Sequence, residues 1–147
     1  MATKLERIVC GERLLAVIMR RGIGEELRQQ GKTVLFATPD AFGLQLGVHN
    51  RSSDEEIEGH FHIPFTNIRE LAVQEFFFIY SGSVAITLYD SPENQQALDE
   101  VIINTGDAIV LNTGHSLRFL SETQMLEIKQ GPYRGRALEK IIIAARS

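Results

Sequence analysis

The feature that most constrains this chain is a series of short β-strand patterns over residues 75–129, separated by glycine-containing turns. The apolar stretches 75–80 and 83–89 flank Ser81-Gly82, a pair of residues typical of a tight hairpin. Further strands are predicted at 100–104, 108–111, 116–120 and 124–129. Short strands at a spacing of about 8–12 residues predict an all-β sandwich or barrel.

The N-terminal part carries a weaker β pattern. Residues 5–20 predict two short strands with a turn at Gly11, and residues 42–49 alternate apolar and polar side chains like a half-buried strand. Residues 22–30 are either a short helix or an exposed loop, and the C-terminal ALEKIIIAARS is either a last strand or a short helix. No helical pattern long enough for a βαβ crossover separates the strands, which argues against a parallel α/β sheet.

Length, charge and cysteine content exclude several classes of protein. A chain of 147 residues fits one compact domain that folds without disulfides or a structural metal. The net charge of −4 and the lack of a basic block longer than Arg20-Arg21 argue against a nucleic-acid groove. We expect a cytoplasmic protein, because Cys10 is the sole cysteine and no signal peptide is recognisable. No stretch approaches the roughly 18 apolar residues of a membrane span.

Histidine provides the first candidate for chemistry. The chain has four histidines, and two of them form the sequence His60-Phe61-His62. Residues i and i+2 of a β-strand point to one face, so these two imidazoles would converge if the segment were a strand. Imidazole nitrogen suits Zn, Fe, Ni and Cu, whereas oxygen donors suit Mg and Ca. The alternative is a solvated loop beside Gly59 and Pro64.

Glu75 and His115 extend this candidate site. Glu75 begins the very apolar stretch EFFFIY, where an unpaired buried carboxylate is costly, so it needs a partner: Arg69, Arg118, a histidine or a metal. His115 follows the turn at Gly114, on a later strand. Three histidines and a glutamate on neighbouring strands would leave open coordination positions, as a catalytic metal site requires.

The order of these residues resembles the two motifs of the cupin superfamily. HxH precedes Glu75, Gly82 follows Glu75 after six residues, and Gly106-Asp107 leads to Gly114-His115. The stretches FATPDAFGLQLG, GDAIVLNTGHSLRF and MLEIKQGPYRG are similar to a little-characterised bacterial and archaeal cupin subfamily. The resemblance covers about residues 33–135.

This resemblance implies an all-β fold, a double-stranded β-helix or jelly-roll cupin barrel, as a single domain over residues 1–147. The core motifs would lie in 59–135, and the N-terminal strands in 1–50 would join the barrel and a dimer interface. Two spacings depart from the usual motifs. Twelve residues separate His62 from Glu75, where the family has about four, and His115 directly follows Gly114.

The resemblance also implies a function. Carried over by position, His60, His62, Glu75 and His115 would bind a divalent transition metal (Zn, Fe, Ni or Mn). The protein would act on a small polar metabolite, as an isomerase, a lyase or a dioxygenase. The alternative is a non-catalytic cupin that binds a sugar-like ligand without metal. We expect a homodimer and no nucleic-acid or membrane partner.

Other residues have both a functional and a structural interpretation. The candidate substrate contacts, each of which is alternatively a solvated or packing residue, are Gln45, Arg69, Tyr80 and Glu127. His49 points to solvent if the neighbouring leucines face the core, and otherwise joins Gln45 in the pocket. The three apolar residues Phe76–Phe78 imply that both faces of their strand are covered. A second copy of the chain is the expected cover, with Leu14–Met19 as a suitable interface segment.

Overall fold

The structure is a computed structural model that describes residues 3–66, 70–132 and 134–143. Its elements are β1 (Leu5–Cys10), β2 (Arg13–Met19), α1 (Ile23–Gln29), β3 (Val34–Phe36), β4 (Gly47–His49), β5 (Glu75–Ser81), β6 (Ser83–Tyr89), β7 (Ala97–Asn104), β8 (Ala108–Leu111), β9 (His115–Phe119), β10 (Gln124–Lys129) and α2 (Arg136–Glu139). The predicted all-β class is confirmed. Neither helix of the described chain has the length and apolarity needed to cross a membrane.

The strands form three antiparallel sheets, and none of them closes on itself within the described chain. The largest sheet has the order β1-β2-β8-β5-β10, the second has the order β7-β6-β9, and β3 pairs with β4 as a separate hairpin. The hairpin expected at Ser81-Gly82 is not formed, because the chain passes there from β5 in the five-stranded sheet to β6 in the three-stranded sheet. Gly82 makes this turn between the sheets, and its φ of 105° suits glycine. A Cβ at this position would lie 2.5 Å from the carbonyl oxygen of Glu122, so the turn also needs glycine for space.

The main core lies between the five-stranded and the three-stranded sheet. Alternate residues of β5 and β8 point inward, among them Phe77, Ile79 and Ile109, and they meet Ile86 and Ile103 from the opposite sheet. Each of these side chains is at most 2% exposed. This alternation is what the apolar strands require, because successive side chains in a strand point to opposite faces.

A second apolar cluster covers the outer face of the five-stranded sheet. Val17, Val110 and Phe78 point outward and pack against Ala37, Phe42 and other residues of the segment 37–48. The expectation that both faces around Phe76–Phe78 are covered is therefore confirmed, and the covering residues belong to the same chain.

The proposed dimer segment Leu14–Met19 is buried within the single chain, which corrects the sequence interpretation. These residues belong to β2, which pairs with β1 on one side and β8 on the other. Ala16, Val17 and Ile18 are 0% exposed, so they have no surface to offer a partner. An apolar strand rich in β-branched residues suits a sheet centre as well as an interface, and the sequence does not distinguish the two.

The strand predicted at 42–49 is only partly formed. β4 comprises Gly47–His49, and the preceding residues form a turn in which the Phe42 N–H donates to the Pro39 carbonyl. The Gln45 side-chain amide donates to the carbonyls of Pro39, Asp40 and Phe42, which holds this turn in place. A polar side chain with three local backbone acceptors thus competes with strand pairing.

A charged network joins the N-terminal strands to the turn before β8. Arg20 donates to the Glu6 carboxylate at 2.7 Å and to Asp107 Oδ2 at 2.9 Å. Asp107 is 5% exposed and also accepts the backbone N–H groups of Arg21 and Asn104. The hydrogen bonds that Arg20 donates to Glu6 and Asp107, together with the charges of both carboxylates, outweigh the effect of burial and raise the pKa of Arg20 above its ordinary value.

Candidate functional site

Glu75 and His115 form a direct pair where two sheets meet. Glu75 is the first residue of β5 and His115 is the first residue of β9, in the opposite sheet. His115 Nε2 lies 2.8 Å from Glu75 Oε2, and His115 Nδ1 lies 3.0 Å from the Thr113 carbonyl oxygen. The Thr113 carbonyl oxygen only accepts hydrogen bonds, and so does the Glu75 carboxyl group when it is ionised. The arrangement therefore favours an imidazolium that donates from both nitrogens.

The electrostatics of the pair support this protonation state. Burial alone would lower the pKa of His115, but the hydrogen bonds to Glu75 and Thr113 and the charge of Glu75 together raise it above 6.5. The hydrogen bond from His115 lowers the pKa of Glu75 below 4.5, against the opposing effect of burial. The two side chains are 19% and 15% exposed, so solvent screens them only partly.

Apolar and polar neighbours fix the pair. The Phe77 ring meets the His115 ring edge to face, with centroids 6.1 Å apart. Gln74, which is 2% exposed, donates to Asn112 Oδ1 at 2.9 Å and accepts the Leu44 N–H at 2.8 Å. These hydrogen bonds hold the start of β5 in place, so they also fix the position of Glu75.

Cations from two later segments lie close enough to act on the pair. Lys129 is opposite Glu75 in the β5–β10 register, and its Nζ is 3.5 Å from a carboxylate oxygen of Glu139. Lys129 and Lys140 both contribute to the lowered pKa of Glu75. Ile143 Cδ1 would be 4.0 Å from a Cβ at Gly114, so residues 139–143 pass over this end of the molecule.

We expect the pair to stabilise the fold most between about pH 4.5 and 6.5, the ordinary pKa values of the two groups. The stabilisation from His115, whose pKa is raised by folding, is complete below the unfolded-state pKa and is lost as the pH rises through the folded-state pKa. The stabilisation from Glu75, whose pKa is lowered, is complete above the unfolded-state pKa and is lost as the pH falls through the folded-state pKa.

Urea unfolding of the wild type and Glu75→Gln at pH 5.5 and 8.5 measures this effect. The variant should lose roughly 1–2 kcal/mol at pH 5.5 and less at pH 8.5. Glu127→Gln, an exposed glutamate on β10, serves as the matched control. A loss that is equal at both pH values would contradict the charged pair.

His60 and His62 lie in an exposed segment without strand structure, not in the strand that would align them. Their rings are 5.0 Å apart, and His60 Nδ1 is 2.7 Å from the Glu58 carbonyl oxygen. Phe61 between them is 101% exposed. The structure thus brings Glu75 and His115 together, and it does not place the two other proposed ligands with them.

A metal ion does not fit the arrangement described. Within residues 3–66, 70–132 and 134–143, no group of three or more His, Cys, Asp or Glu side chains is placed to hold one. Glu75 and His115 supply two donors, and a catalytic zinc site takes three protein ligands.

The remaining predicted contacts lie elsewhere. Gln45 holds the 39–42 turn, and Tyr80, which is 58% exposed, packs its ring against Phe78 on the outer face of the five-stranded sheet. Glu127 has the predicted phase, opposite to Leu126 and Ile128, but its side chain is exposed. Arg69 lies outside the described residues. His49, at the end of β4, is exposed, in agreement with the first of its two interpretations.

Sequence reasoning missed Lys129, Glu139 and Gln74 as neighbours of the site. Lys129 shares the strand phase of Glu127, so the alternation in LEIK was a usable signal. Glu139 and Gln74 gave no such signal, because their positions depend on how α2 and the segment before β5 fold back.

Comparisons of the chain with protein-family models, with curated proteins and with solved structures found no match in any of the three.

Proposed function

We propose that this chain is a cupin-like jelly-roll domain that binds a small polar metabolite at the Glu75–His115 pair. The observation that carries the proposal is the 2.8 Å contact between two ionisable side chains that lie forty positions apart in the chain. Ionisable groups that are partly buried and shift each other's pKa occur often at functional sites. The jelly-roll arrangement is supported by the two facing antiparallel sheets around one core.

The pair offers complementary chemistry to a polar ligand. Glu75 accepts hydrogen bonds from hydroxyl groups, and the imidazolium of His115 donates to a carbonyl or hydroxyl oxygen. A carboxylate and an imidazolium in contact also form an acid–base pair, which is what proton transfer in an isomerase or a lyase requires. We therefore favour these two reaction classes over a dioxygenase, since they use the groups that the site brings together.

A metal-dependent site is the second candidate, and one observation favours it. Glu75 and His115 already converge as two donors, and His60 and His62 lie uncovered with their rings 5.0 Å apart. The strand β9, which carries His115, is an edge strand of its sheet. If residues 60–65 paired with that edge, His60 and His62 would share one face of the sheet that carries His115, opposite the sheet that carries Glu75.

Ligand binding is tested through the His115 ring. Its ¹H and ¹³C resonances are followed by NMR while a panel of monosaccharides and hydroxy acids is added to metal-free protein. We expect at least one member to shift the His115 ring signals and its pKa, and we expect Glu75→Gln to weaken that binding about tenfold or more, because a charge-assisted hydrogen bond is lost. Glu93→Gln, at an exposed glutamate in the loop between β6 and β7, is the control.

Elemental analysis after equilibration with Zn, Fe, Ni or Mn separates the two candidates. Stoichiometric metal that is lost in both His115→Ala and the double variant His60→Ala, His62→Ala would establish the metal-dependent site. His115 shifts with no bound metal would establish the metal-free binder. A protein that shows neither would end both proposals.

We also propose that the protein forms a homodimer through the part of the outer face near β10. Tyr80, Leu126 and Ile128 share this face and are 58%, 41% and 48% exposed. Sedimentation at micromolar concentration should show a dimer that Leu126→Glu weakens and Leu138→Glu, a control at a 74% exposed position on α2, leaves intact. Monomer alone in the wild type would contradict the proposal.

A further inference from the structure

A groove runs along the outer face of the five-stranded sheet, on the side opposite to Glu75 and His115. Its volume is about 550 Å³, which falls within the range of about 300–1,000 Å³ for ligand pockets. The floor consists of Met19, Phe76 and Phe78, and the wall consists of Leu46 and Val48. These residues belong to the second apolar cluster, so the groove is an incompletely filled part of that layer.

A smaller cavity lies beside the groove. It has a volume of about 170 Å³, shares the lining residues Leu46 and Phe76 with the groove, and also contacts Gln45, Val110 and Ile128. Apolar side chains thus predominate along this part of the outer face. Such a lining suits a chain of methylene groups better than a compact polar molecule.

Three polar side chains line the groove: Arg20, Arg21 and His49. The Arg21 backbone N–H donates to Asp107 Oδ1, and its aliphatic stem lies over Gly106, where a Cβ would be 2.9 Å from Arg21 Cδ. Neither the Arg21 guanidinium nor the His49 imidazole has a hydrogen-bond or ion-pair partner among the described residues.

Several carboxylates in this part of the molecule already have an arginine as partner. Arg20 binds both Glu6 and Asp107, and Arg28 binds Glu25. The guanidinium of Arg21 is thus an uncompensated cation beside an apolar groove, in a chain whose net charge is −4. A ligand that complements both features has an anionic head and an apolar tail.

We propose that this groove binds a medium-chain carboxylate, with the carboxylate group at Arg21 and His49 and the acyl chain along Phe78 and Phe76. The planar guanidinium suits a carboxylate because it donates two parallel hydrogen bonds. The apolar floor makes affinity depend on chain length, by up to about fourfold for each buried methylene group. This site is independent of the function proposed for Glu75 and His115.

The test uses hexanoate, octanoate and decanoate as probes of the full chain, with octanol as the uncharged comparison. Backbone amide shifts of Val48 and Phe78 report on the groove, and isothermal titration gives the affinities. We expect affinity to rise from hexanoate to decanoate, octanol to bind more weakly than octanoate, and Arg21→Gln to weaken octanoate about tenfold or more. Arg136→Gln, at an exposed arginine that begins α2 and does not line the groove, should leave binding unchanged.

Three results would overturn the proposal. The first is an absence of shifts at Val48 and Phe78 with millimolar octanoate, and the second is equal binding by Arg21→Gln and Arg136→Gln. The third is a dimer, seen by sedimentation, to which octanoate does not bind and which octanoate does not dissociate. The groove would then belong to a contact between two copies of the chain. The His115 ring signals provide a separate readout, since they should not follow octanoate whether or not the Glu75–His115 site binds a metabolite.

Discussion

Replacing Asp107 by alanine is expected to destabilise the fold by about 3–5 kcal/mol, the usual range when one partner of a buried ion pair is removed. Asp107 accepts hydrogen bonds from the Arg20 side chain and from the backbone N–H groups of Arg21 and Asn104. Its side chain is 7% exposed, so water cannot replace it fully at these donors. Three donors would thus lose their acceptor at once.

Two further variants sharpen this experiment. Asp40→Ala removes an exposed carboxylate from a turn, and its effect on urea unfolding should stay within about 0.5 kcal/mol. Arg20→Met combined with Asp107→Ala should cost less than the sum of the two single changes, because the partners belong to one network. Strict additivity would show that Arg20 and Asp107 do not stabilise the fold as a pair.

Phe77→Ala should produce a loss of similar size, about 3–5 kcal/mol, through a cavity in the main core. The Phe77 side chain is 2% exposed and packs within the cluster that joins the two larger sheets. Phe78, the next residue on the same strand, faces the outer layer and is only half-buried. Phe78→Ala is therefore the matched control, and its loss should be clearly smaller.

Phe77→Ala also reports on the Glu75–His115 pair. Because the Phe77 ring contacts the His115 ring, its removal should admit water, relieve the pKa-lowering effect of burial and raise the pKa of His115 further. Phe77→Leu retains most of the packed volume and provides this measurement if the alanine variant does not fold. Equal destabilisation by Phe77→Ala and Phe78→Ala would contradict the assignment of inner and outer faces.

The sequence was most informative where apolar residues alternate along paired strands. In β5 and β6 the alternation predicted both strands, since a core face leaves its mark in adjacent residues. The hairpin predicted at Ser81-Gly82 was wrong, because β5 pairs with β8 and β10 whereas β6 pairs with β7 and β9, and a turn-like pair of residues does not fix which strands pair. The alternation rule failed over 42–49, because Gln45 bonds to backbone carbonyls of its own segment and favours a turn. Local hydrogen bonding of this kind is invisible to an alternation rule.

Half of the candidate site was predictable. The cost of an unpaired Glu75 in an apolar strand correctly required a partner, and His115 was among the candidates. The placement of His60 and His62 was not predictable from HxH alone, because the i, i+2 rule holds only if the segment pairs as a strand. Twelve residues separate this motif from Glu75, and nothing in their order fixes a strand register.

The position of β2 inside the largest sheet, between β1 and β8, has a consequence for biosynthesis. Its inner neighbour β8 follows about ninety residues later in the chain, so β2 emerges from the ribosome long before its partner. At a synthesis rate of about 5–20 residues per second, the delay amounts to roughly 5–20 seconds. During that interval the segment Leu14–Met19 is an uncovered apolar β-strand, the kind of segment that binds chaperones or associates with other nascent chains.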